Sequence, residues 1–164
     1  MNGAVDFQRN WNEYKHGFGD LNSEFFLGLE KTHELTADIS QELLVILEDH
    51  NGNEAFETYE EFGIGNGDQQ YVLHTLGRAN GTANDSLSYH RGMQFTTFDV
   101  DNDRHFSINC AEKFSGGWWY NSCQDSKLTG KYADHNVGMG VNWYAFRGAE
   151  YSLKRAVMMI RPRK

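Results

Sequence analysis

In the middle of the chain Asp99-Val100-Asp101-Asn102-Asp103 leads to Cys110, then to Trp118-Trp119-Tyr120 and Cys123. Carboxylates at every second position repel one another unless a cation sits among them, and oxygen ligands at about 2.4 Å are what Ca²⁺ prefers. A solvated acidic turn accounts for the same residues without a metal. An EF-hand loop does not. Counted from Asp101, Glu112 lands on the bidentate twelfth position, but the sixth, where the sharp turn needs Gly, is Phe106, and no amphipathic helix flanks the run. A cation would therefore sit in a looser loop, with side-chain oxygens of Asp101 and Asp103 completed by backbone carbonyls of the following residues and by water.

The two cysteines, Cys110 and Cys123, admit three readings: free thiols, part of a metal site, or one disulfide. None of the seven histidines supplies a paired zinc spacing, which favours the disulfide. A bridge closing so short a loop contributes on the order of 3 kcal/mol and persists only in an oxidising compartment. Two glycosylation triplets, at Asn80 and Asn84, lie in a Gly/Asn/Ser-rich surface stretch and point the same way, to a secreted, extracellular glycoprotein. Met1 to Phe7 lacks the regions of a signal peptide, and no apolar run is long enough for membrane insertion.

The 164 residues, 39% hydrophobic and 14% aromatic, can bury one sizeable core, so the expectation is a single domain over residues 1–164. A formal charge of -8 excludes general nucleic-acid binding, which needs a basic face. The one basic cluster, Lys154, Arg155, Arg161, Arg163 and Lys164, reads as a solvated strand end and tail.

Asn22 to Leu35 predicts a short helix, capped by Asn22 or Ser23, with Phe25, Phe26, Leu29 and His33 on one packing stripe. Gln41 to Glu48, Ala55 to Phe62 and Tyr71 to Leu76 predict strands, the first two joined by the hairpin signal His50-Asn51-Gly52-Asn53. From Gly77 to Gly140 regular runs are few, so this long region must be functional or tied down. Tyr151 to Ile160 is apolar enough for an internal strand. The expected fold class is α+β: a mainly antiparallel sheet with short helices and a large loop-rich calcium- and ligand-binding region.

Six segments taken together resemble the fibrinogen C-terminal domain family, in the family's order and across almost the whole chain: Phe25-Phe26-Leu27-Gly28-Leu29-Glu30-Lys31, Gly81 to His90, Phe95 to Asp103, Asn109-Cys110-Ala111-Glu112, Gly117 to Cys123 and Tyr151-Ser152-Leu153-Lys154. The family includes ficolins, tachylectins, angiopoietins, tenascins and invertebrate fibrinogen-related immune proteins, and its domains bind ligands extracellularly rather than transform them. The resemblance implies that an N-terminal subdomain with its own disulfide precedes the matched region, so the chain is expected to be N-terminally truncated, with an uncovered sheet edge as a route to self-association.

Carried over onto this chain, the resemblance implies a calcium loop with side-chain ligands Asp101 and Asp103, backbone carbonyls at His105 and Ser107, and Asp99 in support. In ficolin-like and tachylectin-like members acetylated sugars bind beside the disulfide, next to a cis peptide that would here join Ser122 to Cys123. The matching pocket positions are Phe114, Ser122, Cys123, Gln124, Val137, Gly138 and Ala149. Lectin members carry Tyr or His at several of these positions. Val137 offers no hydroxyl and a smaller wall. Fibrin-type knob binding, which needs acidic residues, fails at Lys113, Phe114 and Gly138.

The expected function is a calcium-stabilised lectin-like module for pattern recognition in innate immunity, directed at carbohydrate or microbial and parasite surfaces. The alternative is a protein-interaction module of angiopoietin-like or tenascin-like type, engaging a cell-surface or protein ligand. By the same resemblance the full-length protein is a homo-oligomer. No nucleophile motif, phosphate loop or metalloprotease spacing supports an enzyme, and His90 reads as a structural hydrogen-bonding residue.

Overall fold

A computed structural model describes residues 1–164. In chain order it contains α1 (Trp11–His16), β1 (Phe18–Gly19), β2 (Phe25–Phe26), α2 (Leu29–Ala37), β3 (Gln41–Glu48), β4 (Glu54–Gly63), β5 (Thr75–Leu76), β6 (Ala79–Gly81), α3 (Cys110–Phe114), β7 (Ser126–Lys127), β8 (Asn142–Trp143), α4 (Tyr144–Arg147) and β9 (Arg155–Pro162). The main sheet is antiparallel, in the order β5-β4-β3-β9, with β6 also paired to β4. This is the α+β architecture expected.

Strict alternation makes β3. Leu43, Val45 and Leu47 point into the core, each at most 1% exposed, while the residues between them face outward. The hairpin to β4 forms where the Asn-Gly pair sits. Asp49 Oδ1 accepts the amides of Asn51 and Asn53, both at 2.9 Å, and Gly52 supplies a φ of 84°. Arg147 closes this corner with 2.6 and 2.9 Å bonds to Asp49 Oδ2. Hydrogen bonds from Asn53 and Arg147 hold the Asp49 carboxyl well below the ordinary range.

Three expected elements change. The segment Asn22–Leu27 is not helical: Phe25–Phe26 pairs with Phe18–Gly19, and Glu24 accepts the amides of Asn2, Gly3 and Val5 at 2.7 to 3.1 Å. The helix starts at Leu29, after Gly28 turns the chain at φ 111°, where a Cβ would meet the His16 carbonyl at 2.8 Å. Of the expected stripe, Leu29 is buried and Phe26 packs on the core, but Phe25 is 44% exposed. Of Tyr71 to Leu76 only Thr75–Leu76 pairs as a strand: Tyr71 is left-handed at φ 51°, and the His74 amide turns back to the Val72 carbonyl at 2.9 Å. The last strand begins at Arg155 rather than Tyr151 and lies at the edge of the sheet, not inside it.

Against the inner face of the sheet the loop-rich region builds the other half of one core. Trp118, Trp119, Tyr120 and Trp143 are all buried there. Three of the four polar tips are satisfied by backbone: Trp119 Nε1 donates to the Tyr71 carbonyl at 2.8 Å, Tyr120 Oη to Gly116 at 2.7 Å and Trp143 Nε1 to Asn84 at 2.7 Å, while Trp118 Nε1 is buried without a partner. These bonds tie a region nearly without strands to a rigid frame, and the candidate site is carried on it.

Candidate functional site

The acidic loop hangs from the core by the Thr96–Trp118 and Thr97–Val100 bridges. Asn102 anchors it from within, donating through Nδ2 to the Phe95 carbonyl at 2.9 Å. Asp99 supports the loop rather than facing a ligand: its Oδ1 accepts the Trp11 amide at 2.9 Å and the Thr97 hydroxyl at 2.7 Å. Asp101 and Asp103 remain side by side, the Asp103 amide donating to Asp101 Oδ1 at 3.2 Å. The two oxygens of Asp103 accept the His105 amide at 2.8 Å and the Cys110 amide at 2.7 Å. Burial, with the neighbouring Asp101 carboxylate adding to it, raises the Asp103 carboxyl above its ordinary range in spite of those two bonds.

A cation between the two carboxylates would remove that repulsion. No third Asp, Glu, His or Cys side chain joins the pair, so further ligands must come from backbone or water. The carbonyls of His105 and Ser107 accept no hydrogen bond and are free to serve. Two carboxylates with two free carbonyls suit a hard, oxygen-seeking ion such as Ca²⁺. Phe106, between those carbonyls, is 97% exposed and stacks on His105, with ring centroids 5.4 Å apart.

Asn109 joins this loop to the next part of the site. Its Oδ1 caps α3 by accepting the Ala111 and Glu112 amides at 2.8 and 3.1 Å, and its Nδ2 donates to the Thr97 and Phe98 carbonyls. The helix it opens begins with Cys110, which is bonded to Cys123 across 13 positions of sequence. The peptide between Ser122 and Cys123 is cis. Both features match what the family resemblance implied.

Beyond Cys123 the chain is held by His90, buried at 0% exposure. Its Nε2 accepts the amides of Asp125 and Ser126, both at 3.1 Å, so Nδ1 carries the proton and donates to the Trp119 carbonyl at 2.8 Å. Burial lowers its pKa to about 4, which keeps the imidazole neutral. His90 is thus a structural residue, as its sequence context suggested.

Phe114, Gln124 and Gly138 come together beside the disulfide loop. A Cβ on Gly138 would stand 2.9 Å from the Phe114 ring and 3.4 Å from Gln124 Nε2. Gly138 also donates its amide to the Ala149 carbonyl at 2.9 Å, which brings that expected position to the same place. Gln124 Nε2 donates to the Gly138 carbonyl at 2.8 Å, so one donor of this side chain is already engaged, while its Oε1 is buried without a partner. Val137 does not enclose the site; it stands 58% exposed. Ser122 lies at the surface, its carbonyl accepting the Tyr89 hydroxyl at 3.4 Å.

Lys127 was not singled out from the sequence. It is fully buried without a carboxylate partner, and its ammonium donates to the carbonyls of Phe114 and Gly138, the latter at 2.7 Å. It therefore pins both lips of the candidate pocket. Burial lowers its pKa to about 7. A lysine in the polar run Gln124-Asp125-Ser126-Lys127 carries no local signal of burial. Asn80 and Asn84 are both exposed, away from the core.

Comparison with known proteins places this geometry. The family described as fibrinogen beta and gamma chains, C-terminal globular domain, matches residues 1–163. Tenascin of Gallus gallus is 44% identical over 162 residues, covering 99% of this chain and 9% of that protein. Angiopoietin-related protein 2 of Homo sapiens is 44% identical over 172 residues, covering 99% of this chain and 34% of that protein. The solved fibrinogen-like globe domain of human ANGPTL2 superposes with a TM-score of 0.95 at 44% identity, covering all of this chain and 77% of that one. The chain spans well under half the length of these curated relatives. It belongs to the fibrinogen C-terminal globular domain family.

Proposed function

We propose that this chain is an extracellular, non-enzymatic binding module whose loop-built face engages a protein ligand. In this reading Asp101, Asp103 and the carbonyls of His105 and Ser107 hold a Ca²⁺, which supplies positive charge that orders the loop leading into the Cys110–Cys123 bridge. The disulfide supports an extracellular setting. Likeness to tenascin and angiopoietin-related protein 2 supports a protein ligand over a sugar. The observation that carries the reading is the openness of the pocket: Val137 is exposed, and the Gln124 amide is engaged by Gly138. An acetyl group has too few atoms to bind tightly without an enclosing wall, whereas a protein surface covers a shallow apolar face well. Glycans at Asn80 and Asn84 and a homo-oligomeric full-length protein fit the same reading.

Pattern recognition of carbohydrate in innate immunity is the second reading, favoured by the Phe114 ring beside Gly138, which can hold an acetyl methyl. Two measurements separate them. Titration with N-acetylglucosamine should give millimolar binding or none; micromolar binding lost with chelator would transfer the pocket to pattern recognition. Binding of labelled protein to cells should be abolished by surface proteolysis, survive glycosidases and weaken in Val137→Arg. Calorimetry should find one Ca²⁺ per chain, weakened at least tenfold in Asp101→Asn, with the melting temperature of that variant unchanged in chelator. Absence of calcium binding to the parent chain would overturn the metal assignment.

A further inference from the structure

The outer face of the main sheet carries partly exposed apolar side chains on its central strands. In β3, Leu44 and Ile46 alternate with the buried Leu43, Val45 and Leu47 and so face outward, each half-buried. The register sets Leu44 opposite Thr58 of β4 and Ile46 opposite Phe56, whose ring is 43% exposed. Charged residues bound this stretch of β4 at both ends, and both are already paired, Glu54 with Arg155 and Glu60 with Arg78. An apolar strip is left between them.

β6 lies on β4, on the side of the sheet opposite β9, and brings one glycosylation triplet to this face. Asn80 stands directly opposite Thr58, so its exposed side chain leaves the sheet on the outer side, and the Thr58 hydroxyl fixes the pair by donating to the Asn80 carbonyl at 2.6 Å. Phe56, two residues from Thr58 on the same face, is the diagonal neighbour of Asn80, and diagonal positions are about 7–8 Å apart. Thr82, the third residue of the triplet, is bonded to Phe56 itself: its amide donates to the Phe56 carbonyl at 2.8 Å and its hydroxyl accepts the Phe56 amide at 3.1 Å. The second triplet is placed differently. Asn84 lies beyond the end of β6 at a left-handed φ of 61°, outside the strand pairing that sets Asn80 beside the strip.

We propose that Asn80 carries an N-linked glycan whose first N-acetylglucosamine lies over the Phe56 ring and covers the apolar strip of the outer sheet face. One face of that sugar presents axial C–H groups, whose partial positive charge suits the negative face of an aromatic ring, while its hydroxyls stay in water. Attachment joins Asn80 Nδ2 to the anomeric carbon of a sugar carried on a polyprenyl diphosphate; the carbon–oxygen bond to the diphosphate breaks, the diphosphate leaves with the electron pair, and one Nδ2 proton passes to a base of the transferase. The proposal rests on the extracellular setting inferred above and is independent of what the loop face binds.

The test uses the chain secreted from a eukaryotic host with Asn84→Gly, which removes the second acceptor at a position whose positive φ suits glycine. Mass spectrometry should find Asn80 occupied. After trimming to a single N-acetylglucosamine, the chain should unfold with an equilibrium constant at least about threefold smaller than that of Asn80→Gln, the scale of a cross-strand aromatic contact. With Phe56→Thr added, trimmed and sugar-free chains should unfold alike. Should that variant not fold, proton NMR of the trimmed chain reads the same contact, as upfield shifts of the sugar ring protons relative to the free sugar. Sugar that stabilises equally with and without Phe56, or ring protons at their free positions, overturns the packing. An unmodified Asn80 overturns the proposal outright, and sugar absent from both Asn80 and Asn84 of the secreted parent chain would count against the extracellular setting as well.

Discussion

His90 shows what a single buried group does here. Its folded pKa of about 4 lies below the ordinary 6.5. Between those values the unfolded chain binds a proton that the folded chain refuses, so stability falls as pH drops from about 6.5 to about 4. The linked change is at most about 3 kcal/mol. Lys127 acts in a different window with the same sign: its pKa of about 7 against 10.5 makes stability rise as pH climbs from about 7 to about 10.5. The expected outcome is an imidazole signal for His90 that titrates near 4, with loosening of the Gln124–Ser126 segment on protonation as Nε2 ceases to accept. Titration near 6.5 would contradict it. The role of His90 was legible from its context; that of Lys127 was not, because nothing in its neighbours signals that two distant carbonyls converge on it.

At the scale of elements, β3 and β4 were legible almost to the residue, because alternate apolar positions report a strand with one buried face. Leu43 is central and 1% exposed, whereas Met159 is 44% exposed on the outer face of the edge strand. Leu43→Ala should cost about 2–5 kcal/mol by denaturant unfolding and Met159→Ala under about 1 kcal/mol. Similar losses at both positions would mean that the outer face is also covered. The misread elements depend on long-range pairing. Phe25–Phe26 is a strand through pairing with Phe18–Gly19, and apolar residues in a short run fit a helix stripe equally well. The edge position of β9 is likewise a property of sheet order, which periodicity does not encode.

Across the whole molecule the loop-rich half holds its form through cross-links: aromatic side chains bonded to distant carbonyls, the His90 contacts, and the Cys110–Cys123 bridge. The bridge closes a loop spanning 13 positions, which is worth on the order of 3 kcal/mol. Because the Cys110 amide also donates to Asp103, loss of the bridge should propagate into the acidic loop. The double variant Cys110→Ser, Cys123→Ser is expected to unfold about 3 kcal/mol more easily and to bind Ca²⁺ more weakly than the parent. Unchanged calcium affinity in the folded variant would show that bridge and loop are independent.

What the sequence by itself determined was whatever depends on local order or composition: the two long strands and their hairpin, the acidic run, the cysteine pair and the family motifs. Tertiary structure decided which groups meet. It set Asp101 beside Asp103 with two free carbonyls nearby, spent the Gln124 amide on Gly138, left Val137 outward and placed Lys127 between two lips of a pocket. The division is physical: a strand's alternation is written in neighbours two residues apart, whereas hydrogen bonds between loops join residues whose separation along the chain carries no period.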